Sequence, residues 1–131
     1  MKLGFIGLGA MGAPMAGHLA AKGLLAVVGN RSVAKAEALA AQLQVKAARS
    51  AQDYSDCAAV MLCVSADADV LENVAALAPV LAPGAVVVDH STVARDTALE
   101  AARILSAHGI GFIDAPVSGG VEGARNGRLS V

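Results

Sequence analysis

The chain has 131 residues, 56% hydrophobic, 16% charged and 2% aromatic, with a formal net charge of −1. That length holds one domain with a real core but not two, and the composition is the reverse of a disordered segment's. With no Lys/Arg cluster, the charge pattern argues against nucleic acid or an anionic membrane as a partner.

Lys2–Ile6 is an apolar run ended by glycines and predicts a first strand. One lysine precedes it and glycines follow at once, so it is not a secretion signal. The uncharged stretch from Leu3 to Ala21 is broken by Gly4, Gly7, Gly9, Gly12, Pro14 and Gly17. It cannot form the continuous apolar helix of about 20 residues that spans a bilayer. Met11–Lys22 reads as the first helix, Leu24–Val28 as the second strand, and Val33–Leu43, N-capped by Ser32, as the second helix. Gln44–Lys46 is a weak strand, and Ser50 opens a short helix Ala51–Cys57. Strand Ala58–Val64 then leads to helix Asp67–Leu81, ended by Pro83-Gly84. Strand Ala85–Asp89, helix Ala94–His108 and strand Gly111–Ala115 follow. Arg128–Val131 reads as the opening of another strand, so further chain is expected beyond it.

Short apolar strands alternating with helices predict parallel βαβ units, hence an α/β, doubly wound parallel sheet of the Rossmann kind. Its core has to be packed from Ala, Val, Leu and Ile. Cys57 and Cys63 lie in apolar surroundings without CxxC spacing. They read as free thiols in a cytoplasmic protein rather than as a disulfide or a metal site.

Gly7-Leu8-Gly9-Ala10-Met11-Gly12 joins the first strand to the first helix. A GxGxxG in that setting predicts a dinucleotide phosphate loop. Gly7 permits the tight turn, Gly9 lets backbone approach a pyrophosphate, and Gly12 lets helix and strand pack closely. The N–H groups at the helix start then hold the phosphates. A plain glycine turn without a ligand is the bland alternative.

NAD-binding domains carry an Asp or Glu about 20 residues further on for the ribose hydroxyls. Here Gly29-Asn30-Arg31-Ser32 stands at that place, with no acid. Arg31 can fork onto a 2′-phosphate that a carboxylate would repel, and Asn30 and Ser32 add neutral hydrogen bonds. This favours NADP over NAD. The competing possibility is a solvated arginine beside a helix cap.

Three motifs resemble the β-hydroxyacid dehydrogenase family, which includes 3-hydroxyisobutyrate dehydrogenase, tartronate semialdehyde reductase and the cofactor domain of 6-phosphogluconate dehydrogenase. They are Leu3–Ala16 around the glycine loop, Asp89-His90-Ser91-Thr92, and the run from Asp114 to Ala124, Asp-Ala-Pro-Val-Ser-Gly-Gly-Val-Glu-Gly-Ala. The resemblance implies that Val64, Ser65 and Thr92 also line the cofactor site. It implies that Ser118, Gly119 and Gly120 grip a substrate carboxylate, in keeping with the anion-binding nest that consecutive backbone N–H groups form. It further implies a small β-hydroxy acid substrate, an all-helical second domain and a homo-oligomeric parent protein.

The family's proton-transferring lysine lies on a helix beyond this loop. Lys2, Lys22, Lys35 and Lys46 match no part of that motif, so no catalytic residue is carried over and the chain alone is expected to be inactive. His18 and His108 fall late in helices and read as surface or capping residues, while His90 is expected to support its loop. Two other readings stay open: an imine reductase, which shares the glycine loop, and a non-catalytic NADP-binding module.

Overall fold

The computed structural model describes residues 1–117 and 120–127. Six strands form one sheet in which every neighbouring pair is parallel. They are β1 (Leu3–Ile6), β2 (Leu25–Gly29), β3 (Lys46–Ala47), β4 (Ala59–Leu62), β5 (Val86–Asp89) and β6 (Gly111–Asp114), in spatial order β3-β2-β1-β4-β5-β6. The helices between them are α1 (Gly12–Ala21), α2 (Val33–Leu43), α3 (Asp67–Leu77) and α4 (Arg95–Ser106), and a six-residue α5 (Gly120–Arg125) follows β6. The doubly wound sheet expected from the alternation of runs is therefore present.

The central strands β1, β2 and β4 are apolar on both sides because helices cover both faces of the sheet there. Phe5 and Val28 pack with Ala16, Ala36 and Ala40 of α1 and α2 on one face. Val60, Leu62 and Val87 pack with Val70, Val74, Ala101 and Leu105 of α3 and α4 on the other. Alanines at the α1 and α2 contacts let those helices lie close to the sheet. That is how a core with so few aromatic rings is packed from small aliphatic side chains.

Most element ends shift by one or two residues from the sequence expectations, and three differences have a visible cause. The weak strand at Gln44–Lys46 starts later, because Gln44 takes the left-handed C-cap position of α2 (φ 59°). Its N–H donates to the Ala40 carbonyl, so pairing with β2 begins only at Lys46. The short helix at Ala51–Cys57 is a 3-10 turn, Ala51–Tyr54. The helix expected to run to Leu81 ends at Leu77 and finishes in tighter turns, Val80 N–H donating to the Leu77 carbonyl at 3.0 Å. Cys57 and Cys63 are both free. Among the described residues no helix is long and apolar enough to cross a membrane.

Candidate functional site

The winding of the sheet reverses between β1 and β4, and a crevice opens beyond the carboxyl ends of such strands. A cleft of about 530 Å³ lies there. It gathers Gly7 and Gly9 from the glycine loop, Asn30 and Arg31 from the end of β2, and Val64 and Ser65 from the end of β4. Six of the residues expected to hold a cofactor thus meet in one place, contributed by three segments of the chain.

The glycines divide their work as their geometry requires. Gly7 has φ +102°, and a Cβ there would collide with the Cys63 carbonyl. A Cβ on Gly12 would collide with the Gly7 carbonyl and stand 3.3 Å from the Phe5 ring, so this glycine sets the approach of α1 to β1. Gly9 is different: a Cβ there meets nothing within 4 Å. Its open side is available space beside the start of α1. Among the described residues no hydrogen bond uses the backbone N–H groups of Gly9, Ala10 and Met11. Unused donors at a helix start, next to open space, are able to receive phosphate oxygens.

The remaining expected residues have supporting positions. Leu8 buries its side chain in the core, and its N–H donates to Asn30 Oδ1 at 2.9 Å. Asn30 therefore braces the glycine loop from the end of β2. Ser32 caps α2, its hydroxyl accepting from Lys35 N–H at 3.4 Å. Arg31 is 78% exposed at the mouth of the cleft and pairs with Asp69, with Glu72 at 3.7 Å. Thr92 is exposed and does not line the cleft. Ser118 and Gly119 lie outside the described residues, while Gly120 opens α5.

Sequence reasoning missed the buried polar pair behind the cleft. Asp89 is 0% exposed; its Oδ1 accepts Ser91 N–H at 2.9 Å, and its Oδ2 has no partner among the described residues. Ser91 Oγ accepts Val64 N–H at 2.8 Å, so the turn after β5 fixes the cleft wall after β4. Burial pushes the Asp89 carboxyl above the usual carboxylate range, against the opposing pull of the Ser91 hydrogen bonds. Burial likewise pushes the Cys63 thiol up, with the neighbouring Asp89 adding to it. Below the cleft, Asp53 accepts from Lys46 Nζ and Arg49 N–H, each at 2.7 Å, and these bonds hold it at about 2.

Two of the three histidines contact backbone carbonyls. His90 Nδ1 lies 2.9 Å from the Ala115 carbonyl oxygen, tying the Asp89–Thr92 loop to the end of β6. His18 Nε2 lies 2.7 Å from the Ala124 carbonyl oxygen and joins α1 to α5. His108 is exposed in the turn after α4.

A parallel sheet of this order, with a glycine loop feeding a helix at the switch point, defines a dinucleotide-binding α/β domain. The profile of the NAD binding domain of 6-phosphogluconate dehydrogenase matches residues 2–131, and the chain belongs to that family. An uncharacterized oxidoreductase of Shewanella frigidimarina is 41% identical over 134 residues, 99% of this chain and 46% of the relative. The solved structure of Mycobacterium tuberculosis 3-hydroxyisobutyrate dehydrogenase with L-serine superposes with a TM-score of 0.91 at 29% identity, covering 98% of this chain and 44% of that one. A reductive aminase from Aspergillus terreus in complex with NADPH and ethyl levulinate has a TM-score of 0.82 at 27% identity, covering 93% and 42%. The chain spans a little under half the length of the curated relatives it matches.

Proposed function

We propose that the chain is the cofactor half of an NADP-dependent oxidoreductase that moves a hydride between the nicotinamide and the 3-hydroxyl carbon of a small 3-hydroxy acid. The observation that carries the cofactor reading is the end of β2, where Gly29 offers no acid and Arg31 stands at the mouth of the cleft. The NADPH complex of the Aspergillus terreus enzyme and the hydroxy-acid dehydrogenase named above support it.

In this reading Gly9, Ala10 and Met11 hold the pyrophosphate through their free N–H groups, and Arg31 forks onto the 2′-phosphate. Ser65 and Val64 line the wall toward the nicotinamide, and Thr92 lies beyond them. Ser118, Gly119 and Gly120 hold the substrate carboxylate. When bound, the nicotinamide supplies the redox chemistry, while the protein supplies orientation and a proton acceptor. That acceptor is a lysine in an all-helical second domain of the whole protein, so residues 1–131 alone bind nucleotide without turnover. The protein works in the cytoplasm, in keeping with its two free thiols.

A second reading, imine reduction, is favoured by the likeness to the reductive aminase. Steady-state rates of the full-length protein decide between them, on a panel of 3-hydroxy acids with NADP+ and NAD+ and on cyclic imines with NADPH. Oxidation of a 3-hydroxy acid with NADP+ preferred is the expected result. Imine reduction outrunning every hydroxy acid would overturn the substrate class, and preference for NAD+ would overturn the cofactor assignment.

A further inference from the structure

Tyr54 closes the 3-10 turn after β3 and is 4% exposed. Its ring is wedged beneath β1: a Cβ on Gly4 would stand 2.6 Å from Tyr54 Cδ1, so no side chain larger than hydrogen fits there. Its hydroxyl comes up under the last residue of β2. A Cβ on Gly29 would overlap that hydroxyl oxygen and lie 3.4 Å from Tyr54 Cζ. The phenol oxygen therefore occupies volume that a side chain at residue 29 would need. Both residues line the cleft, and the hydroxyl has no hydrogen-bond partner among the described residues.

In dinucleotide-binding domains the residue ending β2 is the one whose carboxylate receives the adenosine ribose 2′-hydroxyl. We propose that the Tyr54 hydroxyl takes over that duty here, hydrogen-bonding the 2′-oxygen of the bound dinucleotide from beneath Gly29. The inference rests on the reading of the cleft as a dinucleotide site and names a group within it.

Three physical points support the assignment. The ring is buried while the hydroxyl oxygen stays accessible from the cleft, so its unused bonding capacity is open to a ligand. A phenol both donates and accepts, so it serves a ribose hydroxyl and a phosphate oxygen alike, whereas a carboxylate repels the phosphate. Burial also pushes the Tyr54 hydroxyl well above the usual tyrosine range, so it stays neutral at any working pH. The same hydroxyl bars an acid from position 29, so the neutral character of this end of the cleft is enforced sterically as well as by sequence.

Tyr54 is the single tyrosine of the chain, which holds no tryptophan, so a label in tyrosine reports this residue alone. The chain carrying 13Cζ-tyrosine is titrated with NADP+, NAD+ and NAD+ lacking the adenosine 2′-hydroxyl. Calorimetry on wild type and Tyr54→Phe, which keeps the ring packing, accompanies it. The expected result is a Cζ resonance that moves with NADP+ and NAD+ but not with the 2′-deoxy analogue. Tyr54→Phe is expected to bind both natural nucleotides about three- to tenfold more weakly, and the deoxy analogue as wild type does. An unmoved resonance at saturation, or natural nucleotides bound equally well by Tyr54→Phe, overturns the role of Tyr54 while leaving the cleft as the binding site. Wild type binding neither nucleotide overturns the cleft reading and this proposal together.

Discussion

Arg31, in the loop after β2, and Asp69, in the first turn of α3, form an ion pair from the two sides of β1, across the mouth of the cleft. Asp69 is only 18% exposed, whereas Arg31 is 78% exposed, so the carboxylate is fixed and the guanidinium is the movable partner. On the proposed reading, a 2′-phosphate has to take Arg31 from Asp69. Removing the competing charge by Asp69→Asn should strengthen NADP binding roughly two- to fivefold, since an exposed ion pair is worth only a few tenths to 1 kcal/mol. Arg31→Ala should weaken NADP about ten- to a hundredfold and leave NAD nearly unchanged, because a charge-assisted fork is lost. Calorimetric titration of both nucleotides at fixed salt checks the pair. Equal weakening of NAD and NADP by Arg31→Ala would mean that the side chain reads no phosphate.

Gly9 and Gly12 should fail in opposite ways. Gly9→Val places its new atoms in open space, so the thermal midpoint should stay close to wild type while nucleotide binding is abolished. Gly12→Ala drives a methyl group into the Gly7 carbonyl and should destabilise the domain by roughly 1 to 3 kcal/mol. Thermal melts with and without NADP separate the two. A Gly9→Val protein still stabilised by NADP would place the phosphates elsewhere.

Asp89 gives stability an inverse dependence on pH at this site. Burial raises its folded pKa, so the native state favours the protonated carboxyl more than the unfolded chain does. Its contribution is fully present below the ordinary carboxylate value and is lost as pH climbs through the raised folded value. Asp89→Asn removes that titration and keeps an oxygen for Ser91 N–H. Urea unfolding of both proteins, from about pH 4 to about pH 7, should show the variant gaining on wild type as pH rises. A difference independent of pH would show that Asp89 carries no raised pKa in the folded domain.

The parts of this protein that its sequence determined alone are those written in neighbouring residues. Continuous apolar runs such as Leu3–Ile6 mark strands covered on both faces, and the spacing of Gly7, Gly9 and Gly12 marks a tight turn from strand into helix. The absence of an acid at Gly29 was equally plain. Tertiary structure decided what those residues face. Arg31 meets a carboxylate 38 positions away, Val64 N–H meets Ser91 27 positions away, and Gly29 meets the Tyr54 hydroxyl. No periodicity encodes such pairs, because they arise where separate loops converge at the carboxyl edge of the sheet. A tyrosine at the end of a 3-10 turn reads locally as core filling, and only the parallel pairing of β2 with β3 brings its oxygen under Gly29.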